Sequence, residues 1–156
     1  RRSALEKTGY LDLSYHYLLD HQLWLRVLQH GSLIYTPVIQ ASARFHAAAK
    51  NVAHAAEFGR EAFRIVDWMQ TQPALQPLFA QHRRRILAGA QRMNARYLLD
   101  GGLPGPALRA YLRCWFTRPQ TAAPETRRML YAAASLLFNV EGLKTRYLQR
   151  RKRKLG

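Results

Sequence analysis

From about Ala47 to Glu141 apolar residues return every three or four positions, and Pro and Gly punctuate them. A period near 3.6 builds one face of a helix and cannot alternate across a strand, so this part of the chain is confined to helices. Over residues 55–69 the face reads Phe58, Ala62, Ile65, Val66 and Met69, and Pro73 and Pro77 break this helix. A longer helix is expected over 78–99, stopped by Asp100-Gly101-Gly102. Residues 106–116 form the next, with Pro106 near the favoured first position. Pro119 and Pro124 bracket a loop, a further helix runs from 124 to about 141, and Gly142 interrupts it.

The first 46 residues read differently. Residues 3–8 suggest a short helix ended by Gly9. Residues 18–30 form a second, with Leu19, Leu23, Trp24, Val27 and Leu28 at helical spacing and Gly31 closing it. Leu23 and Trp24 are expected in the core. Between Leu33 and Phe45, the residues Ile34, Tyr35, Val38 and Ile39 around Pro37 predict two short strands or one bent edge strand.

The 156 residues suffice for one modest core or two small lobes, and 48% hydrophobic residues exclude a disordered chain. Lys and Arg number 25 against 9 Asp and Glu, a formal charge of +16, which points to anionic partners. Arg83-Arg84-Arg85 makes one basic cluster; Arg146, Arg150, Arg151, Lys152, Arg153 and Lys154 crowd a tail over 143–156. Such a tail is either a solvated end or a contact for an anionic membrane surface. Nucleic acid is the rival partner, against which stands the lack of an RNA-recognition sequence or zinc finger. The single Cys114, within an apolar helical pattern, excludes an internal disulfide and reads as buried filler; one Cys fits a reducing compartment. The longest apolar run, from Met129 to Val140, is shorter than the roughly 20 residues of a membrane span. The chain opens Arg1-Arg2-Ser3 without an initiator Met and reads as a piece of something longer.

Three features stand at fixed offsets. Gly9-Tyr10-Leu11-Asp12 comes first. Asp20 then opens an apolar helix that carries Leu23-Trp24-Leu25-Arg26, and Gly31 comes after it. An extended stretch ends in Arg44-Phe45-His46. In this order and spacing the first third of the chain resembles the C-terminal half of family 2 glycosyltransferases, which often read G-x-x-D-E, then D-Y-D-L-W-L-R-L, a Gly, and Y-R-x-H.

The resemblance implies a fold: mostly α with a short β segment, the C-terminal portion of an α/β GT-A (nucleotide-diphospho-sugar transferase) domain followed by a helical bundle-like extension. Residues 1–50 would be the acceptor-side part, 51–142 the extension and 143–156 the basic tail. It also implies an activity. The parent enzyme would transfer a sugar, with inversion, from a nucleotide-diphosphate sugar to an acceptor hydroxyl on a glycan or lipid-linked glycan, in cell-surface glycan or polysaccharide synthesis. It would work in the cytoplasm, peripheral on the inner face of the membrane.

Asp20 occupies the place of the catalytic base in that family. An inverting transfer needs the acceptor hydroxyl to lose its proton as it attacks the anomeric carbon, and a carboxylate can take it. Taken alone, Asp20 is also an ordinary helix N-cap, and a helix start favours negative charge there. By the same resemblance His46 holds a divalent metal (Mg or Mn) or the donor diphosphate; taken alone, a His at the end of a strand is structural or exposed. Arg44, two residues earlier on the same strand face, pairs with a phosphate or with a local carboxylate. Asp12 reads as a turn or capping residue. Two departures stand out: Gln22 replaces an acidic residue, and Ala49, Lys50 and Asn51 replace small hydroxyl residues after the Arg-x-His. No D-x-D occurs, so the metal and nucleotide-sugar half of such a site is not in these residues, and the chain alone is expected to be inactive. The alternative from another class is a non-catalytic basic helical module that binds nucleic acid or an anionic membrane surface.

Overall fold

The computed structural model describes residues 2–42 and 54–138. All its regular elements are helical. Helix α1 (Arg2–Thr8) carries an i,i+4 pair in which Arg2 Nε donates to Glu6 Oε1 at 3.0 Å. Gly9, at φ 74°, takes the left-handed conformation that ends it. A turn then forms on Asp12, whose Oδ1 accepts the Ser14 N–H at 2.9 Å. Helix α2 runs Leu19–Leu28.

Helix α3 (Ala55–Thr71) buries Phe58, Ala62, Ile65, Val66 and Met69, the face that periodicity predicts. Full burial contributes about 1.5–3 kcal/mol for each of the larger side chains. Helix propensities differ by tenths, so packing decides this helix. Gln72 is extended ahead of Pro73, as the proline ring requires. Helix α4 (Gln76–Asp100) has Pro77 in its first turn and a kink at His82. It ends in a Schellman motif: Leu103 N–H donates to Leu98 O at 2.9 Å and Gly102 N–H to Leu99 O at 3.0 Å, with Gly102 at φ 77°. Helix α5 (Pro104–Thr117) returns along α4. A four-residue helix, α6 (Pro119–Ala122), and a 3₁₀ turn (Ala123–Glu125) lead into α7 (Thr126–Leu137).

Central helix α4 divides the core. On one side Phe79 and Ala90 pack with Leu75, the α3 face, and Tyr15 and Leu18 from the segment before α2. On the other, Ala95 and Leu99 pack with Ala107, Ala110 and Tyr111 of α5 and Ala132 of α7. Cys114 is fully buried, and its thiol donates to Ala88 O at 3.2 Å, tying α5 to α4. Burial pushes the thiol pKa up, which suits packing rather than reactivity. Glu125 is buried where α4 meets α7, 3.1 Å from Arg92 Nε and 3.7 Å from Arg128 Nε.

The expected α/β portion is not what forms. Among the described residues there is no strand; residues 32–42 lack regular structure, and Leu33, Ile34, Tyr35, Val38 and Ile39 are exposed. A strand exists only through a ladder with a neighbour. This segment has none, and Pro37 also lacks a donor N–H. The helical reading agrees with the structure over the described residues from 55 to 137; the GT-A portion does not. Residues 43–45 of the predicted strand, Gly142 and the tail over 143–156 lie outside the described residues.

Candidate functional site

The candidate base sits on a helix whose start is fixed by three backbone N–H groups that converge on one carboxylate. Glu61 of α3 is buried, and its oxygens accept from the N–H of His16 at 2.6 Å, Tyr17 at 2.8 Å and Leu18 at 2.7 Å. These donors immediately precede α2, where first-turn N–H groups have no partner inside the helix. A buried ion is costly unless its hydrogen bonds are made, so Glu61 fixes the start of α2 against α3. Beside it, Arg64 of α3 reaches Ser14 O and Oγ, both at 2.7 Å, and its guanidinium lies 4.2 Å over the Tyr15 ring.

The rest of α2 is clamped from the other end. Arg26 Nη1 donates to Thr8 O at 2.7 Å and Nη2 to Tyr10 O, while Nε donates to Gln22 Oε1 at 3.0 Å. Arg26 therefore closes the loop after α1. Gln22 is buried beneath it.

Asp20 is the second residue of α2, not its N-cap; Leu18 holds that position and makes no side-chain cap. The Asp20 side chain is 50% exposed. Its Oδ1 accepts the His21 N–H at 2.8 Å and lies 3.0 Å from His21 Nδ1. The His21 ring is tilted on Trp24, with centroids 4.9 Å apart. Trp24 is mostly exposed and Leu23 half-buried, so the expectation that both are core is corrected for Trp24. Oδ1 is thus engaged by His21.

Nearby lies an aromatic shelf of Tyr17, Phe58 and Tyr97. Phe58 stacks on Tyr97 at 4.4 Å and is tilted on Tyr17 at 5.1 Å. Burial raises the Tyr97 phenol pKa first; Arg96 opposes this, and the Asp100 and Asp20 carboxylates add to it. Helix α4 thereby brings a phenol into the field of the candidate base. Neither Glu61 nor Tyr97 is marked by any local motif. Asp12 serves as the turn residue expected of it, with its pKa lowered by its hydrogen bonds to Ser14.

Arg44 and His46, the candidate phosphate and metal residues, lie outside the described residues. Among the described residues no three His, Cys, Asp or Glu side chains converge as a metal site. No helix among them is long and apolar enough to cross a membrane. Compared with protein-family models, characterised proteins and solved structures, the chain matches none.

Proposed function

We propose that this chain is the acceptor-side piece of an inverting glycosyltransferase related to family 2, with Asp20 as the general base. The observation that carries the reading is the Asp20 carboxylate, half-exposed on a helix start that Glu61 and Arg26 hold from both ends. An acceptor hydroxyl approaching Asp20 Oδ2 would give up its proton there. Its oxygen would form the bond to the anomeric carbon as the bond to the diphosphate breaks, releasing a nucleoside diphosphate and inverting the centre. Catalytic groups need such positioning, because small misplacements cost large factors in rate. The exposed Trp24 offers a ring on which a sugar face can rest. In this reading Arg44 and His46 serve the donor diphosphate and a divalent metal, and the rest of the donor pocket belongs to the parent enzyme. The acceptor is a glycan or lipid-linked glycan, met from the cytoplasm at the inner face of the membrane.

The test is Asp20→Asn in the intact parent enzyme. Asn keeps the size and the Oδ1 acceptor, so folding changes little. An amide cannot take the hydroxyl proton, and turnover falls by about 10²–10⁴-fold. Donor affinity changes far less. Near-normal turnover of the variant would reduce Asp20 to a helix-start residue.

A second reading, a non-catalytic basic module, draws on a groove of about 510 Å³ at the α4 kink, lined by Arg83, Arg84, Arg85 and Arg118. A parent enzyme that transfers sugar and depends on Asp20 would exclude it.

A further inference from the structure

The face of α5 and α7 that points away from α4 is apolar and uncovered. Leu108, Leu112, Trp115 and Phe116 recur at i, i+4, i+7 and i+8 on α5, beside the buried stripe of Ala107, Ala110, Tyr111 and Cys114, with Leu108 partly buried against that core. With Met129 and Leu130 of α7 they line an open groove of about 400 Å³. Phe116 is 83% exposed and Leu130 65% exposed, and Leu137 and Phe138 continue the apolar surface at the end of α7. Large apolar side chains exposed side by side on one face mark an interaction site.

The charge around the groove narrows the occupant. Arg109 and Arg113 precede Phe116 at i, i+4 and i+7, along one edge of the α5 stripe, and both are exposed. Arg127 is exposed one turn before Leu130 on α7. Between residues 101 and 138 the sole carboxylate is Glu125, which is buried against Arg92 and Arg128. A two-fold dimer through this face would set the same arginines against each other with no exposed acid to pair them. A bilayer surface with anionic headgroups meets both demands. It takes Trp and Phe at the level of the headgroups and pairs Arg with lipid phosphates and carboxylates.

We infer that the α5–α7 face docks on an anionic lipid bilayer, with Leu112, Trp115, Phe116 and Leu130 entering the interface and Arg109, Arg113 and Arg127 at the headgroups. This is independent of the basic tail and of sugar transfer. It gives the chain a defined orientation on the surface, whereas charge alone would let it adhere in many.

The experiment is sedimentation of the 156-residue chain with vesicles of phosphatidylcholine alone or with phosphatidylserine. Phe116→Ser/Leu130→Ser and Arg109→Gln/Arg113→Gln are run in parallel. All four positions are exposed, so helix content should hold, as circular dichroism checks; Phe116→Ser alone replaces the double variant if it does not. The unaltered chain should bind the serine-lipid vesicles far more tightly than the neutral ones. Each Arg in the headgroup layer raises partitioning about fivefold, so the Gln pair should lower it roughly 25-fold. The Ser pair should lower it at least tenfold, including at high salt, where the apolar part of binding persists. Three outcomes would overturn the inference. One is no vesicle binding by the unaltered chain; another is binding by the Ser pair as strong as that of the unaltered chain. The third is a concentration-dependent dimer that the Ser pair makes monomeric, which would show that a second copy covers the face.

Discussion

Tyr111 carries its hydroxyl into the seam where α4, α5 and α7 meet, and it is fully buried. Burial and, after it, the Glu125 carboxylate push the phenol pKa up to about 12, against the pull of Arg128. The unfolded phenol titrates near 10. The folded state therefore holds the proton more tightly, and the associated stability is complete below about pH 10. It is lost as pH rises toward 12, at up to about 1.4 kcal/mol per pH unit. Tyr15, Tyr97 and Cys114 also have raised values, so the intact protein loses stability in this range for several reasons. Tyr111→Phe isolates one of them. In urea unfolding it should match the intact protein to within about 1 kcal/mol near pH 8. Its stability should fall less steeply above about pH 10, and parallel curves there would refute the assignment. At this scale Asp20 stands out as a candidate, because the residue types around it form a pattern along the chain. Glu61 does not: its partner Leu18 is 43 residues away, and a Glu in a helix carries no local sign of what it caps.

Among the elements, α3 and α4 come into close contact at Gly59. A Cβ there would lie 1.9 Å from Asn94 Oδ1, 2.7 Å from Asn94 Cγ and 3.1 Å from Asn94 Cα. The Asn94 side chain can be removed; its Cα moves only with the helix. Gly59→Ala gains about 1 kcal/mol in helix propensity. Overpacking, at about 1–3 kcal/mol, outweighs that gain. The variant should lower the urea midpoint, and adding Asn94→Ala should recover part of the loss, with a coupling above about 0.5 kcal/mol. Simple additivity would show that the crossing is looser than described. The four longer helices after residue 54 were readable from their apolar period, and the first three from Pro and Gly boundaries as well; α7 ends at Leu137, ahead of the expected 141, with Phe138 already extended. The kink at His82 was not readable, because a proline disturbs the turn before it and Pro77 lies on the wrong side. Residues 33–39 failed as a strand for the opposite reason. Their β-branched and aromatic composition suits a strand, but composition cannot supply the neighbour that a ladder needs.

For the whole molecule, residues 32–42 form the longest described stretch without regular structure, and Tyr35 within it is 84% exposed. Its backbone is not held in a ladder or a helix, so cleavage there requires no unfolding of the core. Brief chymotrypsin treatment should cut after Tyr35 well before Tyr15 or Tyr111, both buried in the two halves of the core. Early cleavage at Tyr111 would mean that the α4–α5–α7 half opens on its own.

The sequence by itself determined that the described residues from 55 to 137 are mainly helical, where most of these helices begin and end, which α3 face is buried, and that the molecule is strongly basic. These are local or additive properties: period, turn chemistry and charge. Tertiary structure alone decided which helix stands at the centre, which carboxylate caps α2, and which phenol lies in the field of Asp20. It also decided which apolar stripe of α5 is left uncovered. α5 carries two apolar stripes, one beside the other, and its sequence does not rank them. Only the position of α4 buries Ala107, Ala110, Tyr111 and Cys114 and leaves Leu112, Trp115 and Phe116 facing outward.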